Sequence, residues 1–308
     1  MAFAVIFPFL RMPNLKEIFE DAYHSPSSCS AARRVLAYGI MTSLFTELKA
    51  FPFVNMDVGN FSTYAVMCRR HLEVAMSQLD IFMPATYENI MALLLGSAQA
   101  VEMCKPSLCW IMISTAAGLC QNLGYHRINT MVNDTPEVRK SKIHIFWMIY
   151  MFDKTLSLRL GRASAIQDWD ISLPYVLPSD GTLHDSEGGR LLAYWVKVAR
   201  VQGQAYEKLF CPAAFLRSPA ERMRTAVELV DAMNLAWFER DETSVSDFTT
   251  KRGFNRNAPH QQKAVPKSSP NETELPSRRN LLRQLPSVGG AHLDANEYIQ
   301  GKFVSVII

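Results

Sequence analysis

An excess of charge of either sign is the first thing this chain lacks. Across 308 residues, 32 Lys and Arg stand against 29 Asp and Glu, a formal net charge of +3, with a pI near 8.5. Domains that grip nucleic acid show a basic stripe, because phosphates must be neutralised, so direct DNA binding by this chain alone is not expected. Long hydrophobic runs are also missing. The longest, Ile145 to Phe152, is stopped by His144 on one side and Asp153-Lys154 on the other. A bilayer span needs about 20 apolar residues, so the chain is expected to be soluble.

The apolar N-terminus, MAFAVIFPFLRMP, has no basic residue ahead of its apolar stretch and no small-x-small cleavage pattern. It reads as a buried or disordered terminal segment rather than a signal peptide. Asn60, Asn133 and Asn271 head N-x-S/T triplets, which matter only in a secreted protein. Six cysteines are scattered through the chain, mostly in apolar helical stretches, which points to a reducing compartment and no disulfide framework. Cys104, Cys109 and Cys120 lie closest together, but they form no C-x-x-C pair, and Cys109 and Cys120 share a helical face as core residues do.

Catalytic signatures are equally scarce. The sequence contains no aspartate-rich D-D-x-x-D cluster, H-E-x-x-H helix, G-x-S-x-G elbow, P-loop or G-x-G-x-x-G turn. The histidines are dispersed and none has an evident nucleophile nearby, so neither an enzyme, a metal nor a cofactor is expected.

What the chain does have is helical periodicity, with no convincing strand. The pattern predicts helices over 31–50, 61–82, 86–103 and 107–123, the last closed by a left-handed Gly124. The best delimited is 136–160. Asp134 or Thr135 can cap it, Pro136 fits its first turn, Glu137 suits the positive end of its dipole and Gly161 ends it. A further helix carries Leu191, Trp195, Val198, Ala205 and Leu209 along one face. Another opens with the capping box Ser218-Pro219-Ala220-Glu221 and carries Met223, Val227, Val230 and Trp237 on its apolar side. That makes about seven helices up to residue 240.

The fold class is therefore all-α, with a central buried helix over 136–160. The organisation expected is a poorly defined segment 1–30, a helical domain 31–240 and a mostly disordered polar tail 241–308. A helix apolar on all sides over 145–152 must be surrounded on all sides. Burial of Phe146, Trp147, Tyr150 and Phe152 should contribute about 1.5–3 kcal/mol each. Asp153 sits at the edge of that post. A buried carboxylate needs a partner, and Arg162 is the candidate, the alternative being a solvated Asp153. His126 and Arg127, at a helix C-terminus, are expected to meet its orphan carbonyls.

The run LCWIMISTAAGLCQNLGYHR (108–127), followed by EVRKSKIHIFWMIYMFDKTLSLRLGRASAIQDWDISLP (137–174), resembles the fungal-specific transcription factor domain. This is the helical "middle homology" region found downstream of a binuclear zinc-cluster DNA-binding module. The family's pattern maps onto Leu123, Gly124, His126 and Arg127; Phe146 and Trp147; Asp153 and Lys154; Gly161 and Arg162; and Leu173 and Pro174. Residues 86–178 carry this signature. Ala163 stands where proline is usual and His144 where arginine is usual, and the C-x2-C-x6-C repeats of the zinc cluster do not occur in these 308 residues.

The resemblance implies a nuclear transcriptional regulator, controlling a pathway or a secondary-metabolite gene cluster through contacts with other regulators or with a second copy of itself. It implies a chain without the zinc-cluster module and with fewer helices than usual. The alternative is a truncated dimerisation or dominant-negative module that blunts full-length regulators. A third possibility, a small-molecule sensor, has no visible polar constellation in the sequence to support it.

Overall fold

Several helix ends in this chain follow from short local signals in the sequence. The computed structural model describes residues 14–50, 60–174 and 187–241. Among the described residues there are eight α-helices and no strand: α1 (Leu15–His24), α2 (Ala31–Ala50), α3 (Phe61–Ser77), α4 (Tyr87–Glu102), α5 (Pro106–Asn122), α6 (Pro136–Leu160), α7 (Glu187–Ala205) and α8 (Pro219–Asp241). The all-α class is as expected.

At the head of α4, Thr86 Oγ1 accepts the Asn89 N–H at 3.2 Å. At the head of α6, Thr135 Oγ1 accepts the Val138 N–H at 3.4 Å, with Pro136 in the first turn. Thr135 is thus the cap, and Asp134 instead pairs with Lys142 Nζ at 2.7 Å. The capping box of α8 closes in both directions: Ser218 N–H donates to Glu221 Oε2 at 3.0 Å, and Glu221 N–H donates to Ser218 Oγ at 3.3 Å.

Three helix ends share one backbone device, a left-handed residue followed by an N–H that reaches back to the last turn. After α5, Gly124 has φ 71° and Tyr125 N–H reaches Cys120 O at 2.9 Å. After α6, Gly161 has φ 64° and Arg162 N–H reaches Ser157 O at 3.1 Å. After α4 the same position is held by Cys104 at φ 55°, with Lys105 N–H on Ala100 O at 2.9 Å. Glycine takes that conformation without steric cost, whereas a cysteine side chain opposes it.

Three boundaries differ from expectation. An additional helix, α1, buries Ile18 and Ala22 and half-buries Leu15 and Phe19 against the core. The helix expected over 61–82 stops at Ser77, because Asp80 Oδ1 captures the Phe82 N–H at 2.9 Å in a local turn. The sixth expected helix, the one carrying Leu191 to Leu209, ends as an α-helix at Ala205 and runs on as a π-turn, Tyr206–Phe210, that buries Leu209. The expected polar tail lies outside the described residues, as do the side chains of Leu191 and Trp237.

α1 lies on α2, α2 packs against α3 and α4, α4 against α5, and α8 against α7. α6 has α5 and α7 as its main neighbours and also touches α4. Every residue of α6 from Ile143 to Tyr150 is buried, so the polar residues of its last turns are presented at the end of a fixed post. Met151 and Phe152 are only partly buried. Inside the post, Phe146, Trp147 and Tyr150 form an aromatic cluster, with Trp147 and Tyr150 edge to face at 5.2 Å and Phe146 against Trp147 at 5.3 Å.

Candidate functional site

Beyond Gly161 the chain doubles back along the last turns of α6, and residues 162–174 are tied down by polar groups as well as by the burial of Ile166 and Leu173 in the core. Asp153 lies at 0% exposure. Its Oδ1 accepts the Ala165 N–H at 2.9 Å, and its Oδ2 accepts the Ile166 N–H at 3.0 Å and the Ser164 hydroxyl. The expected ion pair with Arg162 is therefore not the partner, and neither is solvent. Backbone amides of the returning segment satisfy the carboxylate, while Arg162 lays its guanidinium over the Trp110 ring, 4.5 Å from the centroid.

Lys154, also buried, donates to Ile166 O at 2.7 Å and pairs with Asp168 Oδ1 at 2.9 Å. The Tyr150 hydroxyl donates to the same carboxylate at 2.9 Å, and Arg200 Nε of α7 stands 3.7 Å from its other oxygen. A buried lysine is costly unless its charge is matched, and Asp168 provides the match. The stem of Lys154 passes over Gly203 of α7. A Cβ built there would lie 2.5 Å from Lys154 Cδ, so the approach requires glycine.

Two residues further along, Asp170 gathers the other end of the signature. Arg127 Nη2 donates to its Oδ1 at 2.6 Å, and His126 Nε2 stands 3.4 Å from its Oδ2. Ser172 N–H donates to His126 O, and Ile128 N–H donates to Ser172 Oγ, both at 3.0 Å. The helix-capping role expected for His126 and Arg127 is thereby corrected. The carbonyls at the end of α5 are met by backbone N–H groups around Gly124, which leaves both side chains to hold the returning segment. Burial pushes the His126 imidazole below its ordinary value, with Asp170 opposing and Arg127 reinforcing that shift.

Of the twelve signature residues, the structure brings His126, Arg127, Asp153 and Lys154 onto one short segment. Phe146 and Trp147 belong to the aromatic post, Gly161 makes the reversal, Arg162 turns to Trp110, and Pro174 is half-buried beside the buried Leu173. The residues missed from the sequence are the acceptors, Asp168 and Asp170. Their signal was the D-W-D triplet, a short helical turn whose aspartates point inward while Trp169 between them is 83% exposed.

The arrangement is a brace. Its buried ammonium is matched to Asp168, and its other carboxylates to backbone amides or to Arg127. Among the described residues no group of three or more His, Cys, Asp or Glu is disposed to hold a metal ion. Burial raises the Cys109 thiol to about 12, and the Cys120 thiol is also raised by burial, so neither is a ready thiolate.

The model of the "Fungal specific transcription factor domain" family matches residues 63–191, a span that contains all twelve signature residues. The chain is 29% identical over 127 residues to an uncharacterized transcriptional regulatory protein of Schizosaccharomyces pombe, covering 41% of this chain and 20% of the relative. It is 26% identical over 132 residues to an ABC-transporter-regulating transcription factor of Aspergillus oryzae, covering 41% of this chain and 15% of that one. It is 30% identical over 99 residues to a transcriptional regulator of Claviceps purpurea, covering 32% of this chain and 15% of the relative. The chain thus spans about a fifth of the length of these curated relatives, or less. No solved structure matches it.

Proposed function

We propose that this chain acts as a transcriptional regulator of the fungal-specific type, in the nucleus, through its helical domain and by contact with other regulators or with a second copy of itself. The observation that carries this reading is the match of residues 63–191 to the family's regulatory domain. The brace supports it from the side of the chemistry, because Asp153 is occupied with backbone amides, Lys154 with Asp168 and Asp170 with Arg127. The controlled genes would belong to one pathway or one secondary-metabolite cluster. The near-balanced charge of +3 suits a chain that reaches promoters through partners rather than by its own basic surface.

A second reading, a dimerisation module that blunts full-length regulators, is favoured by one feature. The turn after α3 exposes Ile81 and Phe82 at 90% and 88%, and Met67 and Val66 are half-exposed on α3 itself. Exposed apolar side chains of this size suit an interface.

Transcript profiling of a deletion strain tests both. A coordinated fall in a set of pathway genes supports an activator, a coordinated rise supports the blunting module, and an unchanged transcriptome refutes regulation altogether. Sequence-specific binding of the purified chain to a promoter fragment would overturn the dependence on partners.

A further inference from the structure

Just beyond the end of α3 a short turn carries an apolar knob, Ile81 and Phe82, 90% and 88% exposed. The turn is pinned on both sides of the knob. Asp80 Oδ1 accepts the Phe82 N–H at 2.9 Å, and Asn89 Nδ2 donates to Pro84 O at 2.8 Å. A turn held in place this way loses little freedom on docking. Close by, between α1, α2 and α3, lies an open-sided recess of about 360 Å³ lined by Tyr23, Pro26, Arg34, Tyr38, His71 and Val74. Tyr23 and Val74 on its rim are themselves 80% and 54% exposed. Val74 stands seven positions before Ile81, so the knob and the recess are near neighbours on the chain. The knob nevertheless stays out of its own recess, as the exposure of Ile81 and Phe82 requires.

The charges are as complementary as the shapes. Asp80, at the base of the knob, gives its carboxylate to the turn and pairs with no cation among the described residues. At the recess, Arg33 takes the nearby carboxylates of Asp21 and Glu88, which leaves Arg34 without one among the described residues. We propose that this face joins two copies of the chain about a two-fold axis. Ile81 and Phe82 of each copy enter the recess of the other, and Asp80 of each meets Arg34 of the other. A two-fold contact requires one surface to carry both members of every pair. Here it carries knob and recess, anion and cation, whereas a partner of another sequence would call for only one of each. The inference rests on the reading of this face as an interface and adds its occupant.

The test is sedimentation equilibrium of the purified full chain over a range of concentrations, with variants that each break one half of the contact. Ile81→Ser with Phe82→Ser removes the knob, and Val74→Trp fills the recess from a half-exposed position. Neither change touches the core, so both variants should keep the helical circular dichroism of the parent. The expected result is a monomer–dimer equilibrium that weakens about tenfold or more in each variant alone. Asp80→Asn, which keeps the acceptor for the Phe82 N–H and loses the charge, should weaken it roughly twofold to fivefold. Mixing the knobless and the filled variants should restore part of the association, because the knob of one then meets the open recess of the other. A parent that stays monomeric, a dimer that survives either apolar variant unchanged, or a mixture that does not associate overturns the proposal. The knobless variant expressed in place of the native chain separates this inference from the reading beneath it. Altered transcripts with a monomeric parent put another regulator on the face and sink the self-association alone, whereas unaltered transcripts with a monomeric parent sink the interface reading as well.

Discussion

Asp153 and Ile166, thirteen positions apart, are joined by a 3.0 Å hydrogen bond from the backbone amide of one to the buried carboxylate of the other. With the Ala165 amide and the Ser164 hydroxyl, this makes the returning segment the counterpart of the charge. Asp153→Ala would strand these donors in a dry site, each orphan costing about 1–3 kcal/mol. The expected loss of unfolding free energy is about 3 kcal/mol or more in urea denaturation. Arg162→Ala removes only a ring-stacking contact with Trp110 and should cost about 1 kcal/mol or less. Equal, large losses in both variants would restore the ion pair that the structure excludes.

Lys154 cannot yield easily to a neighbour, because its ammonium is held by Ile166 O and Asp168. Gly203→Ala sets a methyl 2.5 Å from Lys154 Cδ and should destabilise the protein by about 1–3 kcal/mol, the usual cost of overpacking. Lys154→Met also destabilises, by leaving Asp168 short of a cation. Two residues in contact do not add, so the double variant should fall short of the summed losses. Strict additivity in a double-mutant cycle would show that the methyl is accommodated elsewhere.

The parts of this fold that were legible in the sequence are those specified within four or five residues. Thr135-Pro136, Gly124, Gly161 and the Ser218–Glu221 box are each recognised by a local pattern, because a cap is satisfied by its own helix end. The apolar run of α6 was legible for a related reason: a helix without a polar face has only one place to lie. α1 also left a trace, Leu15, Ile18, Phe19 and Ala22 at helical spacing, obscured in the sequence by the apolar, proline-interrupted run before it. Asp153 was recognisable as a residue in need of a partner. The partner itself was hidden, because it is backbone, and every residue but proline carries the same amide. Asp168 and Asp170 could be assigned to Lys154 and Arg127 only once the reversal after Gly161 had brought them back. Tyr38 of α2 and His71 of α3 stack across two helices whose packing no local pattern encodes.

Cys104 supplies a test at a third helix end. Its φ of 55° is a conformation that glycine adopts freely, and its side chain is exposed. Cys104→Gly should raise stability by about 0.5–1 kcal/mol, the relief of left-handed strain being partly offset by the greater freedom of glycine in the unfolded chain. The check is the midpoint of thermal unfolding under reducing conditions. A lower midpoint would mean that the thiol makes a contact worth more than the strain.

His126 makes stability depend on pH in a predictable sense. Its folded-state affinity for a proton is lowered from the ordinary 6.5, chiefly by burial. The unfolded chain therefore takes up a proton at a higher pH than the folded one does. The stabilisation is fully present above 6.5 and is lost as pH falls through the lower folded value, because protonation then favours the unfolded state. Between pH 7.5 and pH 5.5 the melting temperature should fall. His126→Gln, which keeps a polar side chain facing Asp170 without a titrating group, should flatten that part of the profile. If the wild-type profile instead rises on acidification, Asp170 outweighs burial, and His126 is held in place as a cation rather than as a neutral ring.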